Sequence, residues 1–330
     1  LKKNNYPYII AEIGNNHNGS ISLAKKLIIK AKKTGASCVK FQTFTTETLF
    51  SKKSFKKNKQ LKNDSDNFTL KKKNDFKTLL KLSKKLKLDF CATPFSFAEV
   101  DFLINELKLK FIKIASMDIN NYPFIEYIAK KKIPIIISTG FGSKKEIEKA
   151  IKIIKKYHKK IIILHCVAEY PPKNQKLNLN RIRSLKKIYN QPVGFSDHTI
   201  GTDASLSAVA VGAELIEKHF TLDKKMKGWD HKISVDVRDM TNIVNKSKMI
   251  RSSLGSEKIF RVEKISQTIK FRRSLVAIRK IKKNEKLTIK NVGLKRPGDG
   301  LPPEYLKKIC GKKIKKNVEN DEQIKLNYLK

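Results

Sequence analysis

Cysteine is scarce in this 330-residue chain, with four in all. Cys38, Cys91, Cys166 and Cys310 lie far apart and show no paired spacing, which argues against a zinc module or a disulfide framework. Three of them sit in or beside apolar runs that read as buried strands, so reduced core thiols are expected. Long apolar runs are also missing. Residues 1–7 are polar and basic and pass directly into Tyr8-Ile9-Ile10-Ala11-Glu12, so neither a signal peptide nor a membrane span is expected and the chain reads as cytoplasmic. Acidic residues are few: 30 Asp and Glu face 73 Lys and Arg, a formal net charge of +43. Such a balance raises nucleic-acid binding as a function, because lysines neutralise phosphates and release counterions. The lysines, however, are spread along the whole chain and fall where helices would face water, as at Lys144, Lys145, Lys149, Lys152, Lys155 and Lys156. A solvated surface is the preferred reading, and no specific nucleic-acid partner is expected.

What the chain does contain is a rhythm. Short apolar runs at 8–13, 37–41, 89–92, 111–115, 134–138, 161–166, 193–195 and 214–219 alternate with amphipathic lysine-rich stretches. The stretches at 22–34, 74–86, 95–107, 121–131, 143–157, 179–189 and 202–212 carry helical patterns, and a further helix is expected over 236–254. Continuous apolar strands between helices imply a parallel sheet covered on its outer face. About eight such units predict an α/β fold closed as a (β/α)8 TIM barrel. The alternative, an open doubly wound sheet, needs a Gly-rich dinucleotide turn after the first strand, and Gly14-Asn15-Asn16-His17-Asn18-Gly19 does not match one. Two segments break the rhythm. Residues 51–73 read as a weakly structured loop excursion on the side where barrel sites are built. From about residue 255 the alternation stops, and short strands at 275–281, 285–288, 292–295 and 324–326 predict a small β-rich domain. The expected organisation is a barrel over 1–255, a linker over 256–272 and a small domain over 273–330.

In a parallel barrel the chemistry sits at the carboxyl ends of the strands. Here those ends carry Glu12; Lys40 and Gln42; Thr93; Lys113 and Ser116; Ser138 and Thr139; His165 and Tyr170; Ser196, Asp197 and His198; and Glu217, Lys218 and His219. That concentration of ionisable and hydroxyl groups at one rim is the argument for an enzyme. His198 and His219 end successive strands, so both imidazoles can reach one point and hold a divalent ion as Lewis acid; the alternative is that each satisfies a local hydrogen bond. His165 and His17 are weaker candidates. Lys40 and Lys113 either anchor an anion or form a Schiff base, and the hydroxyls around them favour a cradle for phosphate plus carboxylate. Glu12 either orients water or simply pairs with a lysine.

At this point the residues resemble a known family. Ala11-Glu12-Ile13-Gly14-Asn15-Asn16-His17-Asn18-Gly19, Val39-Lys40-Phe41-Gln42-Thr43, Ala92-Thr93-Pro94-Phe95, Lys113-Ile114-Ala115-Ser116, Ser138-Thr139-Gly140, Gly194-Phe195-Ser196-Asp197-His198-Thr199 and Glu217-Lys218-His219-Phe220-Thr221 are similar to the N-acetylneuraminate (sialic acid) synthase family, which includes the legionaminic and pseudaminic acid synthases. Arg273-Ser274-Leu275 and Lys295-Arg296-Pro297-Gly298-Asp299-Gly300 resemble its C-terminal antifreeze-like (SAF) domain, a β-clip fold. The resemblance implies condensation of phosphoenolpyruvate with an N-acylated amino-sugar aldehyde and water. It implies Mn²⁺, or Mg²⁺ or Co²⁺ in its place, on His198 and His219. It implies that Lys40, Thr93, Lys113, Ser116, Ser138 and Ser196 hold phosphoenolpyruvate, and that Gln42, Tyr170 and Asp230 meet the sugar. It also implies a domain-swapped homodimer in which Arg296 reaches the acylamino group from the partner subunit. One departure concerns the sugar: where the resemblance leads us to expect a polar amide, two residues before Tyr170, the chain has Ala168, which leaves room for a bulkier 2,4-diacetamido sugar in place of N-acetylmannosamine. The readings set against this one are a catalytically inactive homologue with a structural role, a basic nucleic-acid-binding protein and a Schiff-base aldolase.

Overall fold

The computed structural model describes residues 6–70 and 72–330, apart from the side chain of Lys59; the reading of the first five residues, and Lys71 in the 51–73 segment, lie outside them. Eight parallel strands form one barrel-like sheet: β1 (Tyr8–Gly14), β2 (Cys38–Thr43), β3 (Asp89–Pro94), β4 (Ile112–Ile114), β5 (Ile135–Ser138), β6 (Ile161–Cys166), β7 (Val193–Asp197) and β8 (Leu215–His219). The order β3-β2-β1-β8-β7-β6-β5-β4 brings the first strand against the last, and β3 and β4 pack beside each other at the remaining seam. The expected barrel is what forms. Among the described residues no helix is long and apolar enough to cross a membrane.

Strand parity sorts the side chains. Ile9, Ala11, Ile13, Val39, Phe41, Ile135, Ile137, Ile161 and Ile163 face outward into the core shared with the helices. Ile10, Cys38, Cys91, Ile136, Leu164 and Leu215 face inward and, with Phe111, plug the bottom of the barrel. One step further along the strands the inward positions turn polar, and the mouth begins there. Gly194 faces inward on β7, and a Cβ there would lie 2.4 Å from the Leu215 carbonyl oxygen and 2.8 Å from the Leu164 side chain. Only glycine lets β7 close against its neighbours at that point.

The helices form where the patterns place them. In Lys144–Lys155, Ser143 and Glu146 make a reciprocal capping box, and Ile147, Ala150, Ile151 and Ile154 form the buried stripe. Burial of each isoleucine is worth about 2 kcal/mol, while the six lysines singled out at 144–156 all face solvent. Two segments depart from expectation. The 51–73 excursion is helical, with Lys52–Lys57 and Lys59–Phe68 started by the side chains of Ser51 and Asn58. These caps satisfy first-turn N–H groups that the low apolar content of the segment gave no reason to expect in a helix. The pattern at 95–107 yields a short helix, Phe97–Asp101, that widens into a π-turn over Phe102–Glu106, where both Phe102 and Leu103 are buried.

Residues 256–330 form a second compact unit with its own core of Leu275, Ile281, Leu287, Ile309, Ile314, Val318 and Ile324. Two antiparallel strands, β9 (Ser274–Ala277) and β10 (Val292–Lys295), are its regular sheet. The strands expected at 285–288 and 324–326 reduce to isolated bridges near them, such as Lys286 with Lys313 and Val276 with Gln323. A helix, Ile265–Phe271, lies within the segment read as linker.

Candidate active site

The inward parity that buries Ile10, Cys38 and Leu215 one layer down aims Glu12, Lys40, Lys113, Ser138, Ser196, Glu217 and His219 into the mouth. Each is buried. At the centre is Glu217, a rim residue to which the sequence assigned no role. Its Oε1 accepts from Ser196 Oγ at 2.9 Å and lies 3.8 Å from Lys113 Nζ, while Oε2 lies 3.6 Å from Lys40 Nζ. Lys40 also pairs with Glu12 at 2.9 Å and donates to Thr93 Oγ1 at 3.2 Å. Lys113 donates to Ser138 Oγ at 2.6 Å and to the Ile114 carbonyl at 2.9 Å. Gln42 donates to Glu12 Oε1 at 3.3 Å. Of the two readings open for Glu12, the ion pair is thus present.

Burial of so many charges is costly unless they are paired. Burial would raise the Glu217 carboxyl, yet Lys113 and Lys40 on either side hold it low. Glu12 is raised, because burial outweighs its single lysine and the charge of Glu217 adds to the effect. Lys40, shared by two carboxylates, stays protonated against burial. Lys113 is lowered by burial, with Glu217 opposing. The cluster is therefore two ammonium groups around one fully ionised carboxylate and a second that protonates readily. Its surplus is positive, which suits a small polyanion.

Beside this cluster stand His198 and His219, with ring centroids 5.6 Å apart and planes tilted by 45°. The Nδ1 of His198 faces the Val167 carbonyl at 3.0 Å and Cys166 Sγ at 3.8 Å, which fixes the ring and leaves Nε2 free. Cys166 also accepts from Ser116 Oγ at 3.4 Å. Burial, reinforced by the neighbouring His198, keeps His219 neutral. Its Nδ1 is buried without a hydrogen-bond partner; the nearest carboxylate oxygen, Oδ2 of Asp230, is 3.6 Å away. An orphaned imidazole nitrogen beside a second histidine and a carboxylate fits a divalent ion better than two locally satisfied histidines do. Among the described residues no group of three or more His, Cys, Asp or Glu side chains is placed to hold a metal ion, so the histidine pair stands alone as donors. Two imidazoles would leave positions for water or substrate around an ion held there. Tyr170 stacks on His198 with centroids 4.1 Å apart and meets His219 edge-on.

Three rim residues turn away from the mouth. Asp197 and Lys218 have the opposite parity to Ser196 and Glu217 and form a fully buried ion pair at 3.1 Å outside the strands, tied to Ser205 and to the Thr199 carbonyl. His165 also points outward, with Nε2 at 2.6 Å from the Leu177 carbonyl oxygen. His17 is buried against Phe41, and its Nδ1 accepts from the Gly19 amide at 3.1 Å. Arg296 belongs to the second unit, where its guanidinium lies 5.0 Å over the Phe271 ring. Next to Cys166 a cavity of about 340 Å³ opens between Thr139, Gly140, Phe141, Ala168 and Asn178. Period-two alternation along β8 puts Glu217 and Lys218 on opposite faces, but which of them enters the mouth is set by the register of β8 on β7, where Ser196 pairs with Glu217.

The family model described as the NeuB family matches residues 27–259, and one described as the SAF domain matches residues 272–330. The chain is 41% identical to the N,N'-diacetyllegionaminic acid synthase of Campylobacter jejuni, over 96% of this chain and 98% of that protein. It is 35% identical to the pseudaminic acid synthase of the same species, over 96% and 95%. Among solved structures, N-acetylneuraminic acid synthetase from Leptospira borgpetersenii superposes with a TM-score of 0.74 at 36% identity, over 81% of this chain and 92% of that one.

Proposed function

Because this chain belongs to the NeuB family and ends in a SAF domain, we propose that it condenses phosphoenolpyruvate with an N-acylated amino-sugar aldehyde and water, giving a nonulosonic acid and phosphate. The observation that carries this reading is the anion cradle at the barrel mouth, Lys40 and Lys113 held around Glu217 with Thr93, Ser138 and Ser196, set directly beside the His198–His219 pair. Lys40, Lys113 and the hydroxyls, with Ser116 at the rim, would bind the phosphate and carboxylate of phosphoenolpyruvate. Tyr170, Gln42 and Asp230 would orient the sugar's hydroxyls. His198 and His219 would hold a divalent ion, Mn²⁺ in the first instance, which when bound withdraws charge from the acceptor's carbonyl oxygen.

The new carbon–carbon bond joins the methylene carbon of phosphoenolpyruvate to the aldehyde carbon. Water then adds at the enol carbon, and phosphate leaves from the tetrahedral centre. Glu12, raised in pKa and paired with Lys40, is suited to take the proton of that water. Lys113, hydrogen-bonded to Ser138, stabilises the departing phosphate. Ala168 and the cavity beside it support an acceptor with a second acylamino group, in keeping with relatives named for legionaminic and pseudaminic acid. Arg296 would reach the acylamino group of the partner subunit's acceptor in a domain-swapped homodimer.

The test is phosphate release from phosphoenolpyruvate with Mn²⁺ across N-acetylmannosamine and 2,4-diacetamido-trideoxyhexoses. Release with a diacetamido sugar, abolished by EDTA, is expected. No release with any sugar from folded, metal-loaded protein would favour an inactive homologue. Borohydride trapping of pyruvate on Lys40 or Lys113 would favour the Schiff-base reading.

A further inference from the structure

The loop after β1, residues 15–19, is fastened to the loop after β8, which carries Asp230. Asn18 Nδ2 donates to the Lys227 carbonyl at 2.8 Å, and Asn18 Oδ1 lies 3.2 Å from His231 Nε2. On the other side of that ring, Nδ1 lies 2.7 Å from the Thr221 hydroxyl. With Asn18 Oδ1 an acceptor only, Nε2 carries the proton and Nδ1 accepts from Thr221. Asn16 Nδ2 donates to the Phe220 carbonyl at 3.0 Å and to Ser234 Oγ at 2.8 Å, and Ser234 Oγ donates to the carbonyl of Asp230 at 2.7 Å.

The approach is close enough to dictate residue types. Gly228 has φ +156°, and a Cβ there would sit 2.6 Å from the His231 ring and 3.0 Å from Asn18 Oδ1. Asn18 itself has φ +46°, a left-handed conformation that asparagine tolerates better than most residues. Asp230 itself leans toward His219, at 3.6 Å, and neither loop fixes its carboxylate by a direct hydrogen bond. Its place is set through its backbone.

We propose that Asn18 and His231 form a clamp that positions Asp230 for the sugar acceptor, so that both are positioning residues for acceptor binding and neither takes part in holding phosphoenolpyruvate. This rests on the reading of Asp230 as an acceptor contact. The clamp has a built-in reporter, because Trp229, between Gly228 and Asp230, is the single tryptophan of the chain. It stacks against Phe44 at 6.4 Å and meets Phe68 edge-on at 5.8 Å.

The test uses the full chain with Asn18→Gly, which deletes the clamp side chain while keeping the positive φ unstrained, and Asn18→Asp, which keeps only the acceptor toward His231. Expected for Asn18→Gly are stronger acrylamide quenching of Trp229 and a KM for the turned-over diacetamido sugar raised about tenfold or more. Its phosphoenolpyruvate KM stays within about twofold and its Tm close to that of the wild type. Asn18→Asp should fall between. Unchanged quenching together with unchanged sugar KM overturns the clamp. So does a phosphoenolpyruvate KM that rises in step with the sugar KM, since that marks a general structural role. If Asn18→Gly does not fold, the same readouts on Asn18→Asp decide. A wild type inert to every sugar sinks the functional reading alone, and the clamp is then judged on Trp229 quenching.

Discussion

Glu217 and Lys218 are adjacent in sequence and opposite in role, one between two lysines in the mouth and the other paired with Asp197 behind the strands. At this scale His219 carries the sharpest expectation. His219→Ala should lose Mn²⁺ binding by titration calorimetry and lose turnover, with Tm nearly unchanged, because the ring makes no hydrogen bond through its buried Nδ1. Retained metal binding would remove it from the donor set. A pH prediction belongs to His17, which burial, assisted by His231, lowers to about 4. The unfolded chain takes up this proton near pH 6.5, well before the folded one does. Stability is therefore complete above the unfolded value and is lost as pH falls from about 6.5 through about 4, by about 3 kcal/mol for this group. Urea midpoints at pH 7 and pH 4.5 should differ less in His17→Gln than in the wild type; equal losses would refute the assignment.

At the scale of elements, the barrel's closure depends on the inward position of β7. Gly194→Ala would drive a methyl group into the Leu215 carbonyl and the Leu164 side chain. An overpacking cost of about 1–3 kcal/mol is expected, read as a Tm lower by several degrees in calorimetry; an unchanged Tm would mean that β8 shifts freely. Strand and helix positions were legible because burial on both faces makes strands continuously apolar, while the helices keep a 3.6-residue stripe. The excursion at 51–73 was legible but its helices were not, since they start on local caps and end at Phe68, which meets Trp229 161 positions away in sequence. The small domain's strands were overcounted, because its backbone pairs mostly through single bridges that no period-two pattern announces.

For the whole molecule, a formal charge of +43 sets up self-repulsion that salt screens over about 8 Å at physiological strength. Tm should rise between 20 mM and 500 mM NaCl, checked by scanning fluorimetry, and a flat response would mean local pairing already cancels the repulsion. The proposed exchange of Arg296 between subunits has a complementation test. His219→Ala and Arg296→Ala chains, each impaired alone, should regain activity when unfolded together and refolded as mixed dimers, because one site then combines an intact barrel with an intact arginine. No recovery would place Arg296 in its own subunit's site, and an unimpaired Arg296→Ala chain would place it outside any site.

The sequence by itself determined the parallel barrel, the order of the strands' polar ends and the set of residues available for chemistry, because periodicity and residue type are local properties of the chain. Which of those polar residues share a mouth, that Glu217 rather than Lys218 lies between the lysines, and that His219 keeps an unpaired nitrogen beside Asp230 were decided only by the tertiary structure. Charge pairing and orphaned donors depend on distances between strands far apart in sequence, and closure of the sheet is what sets those distances.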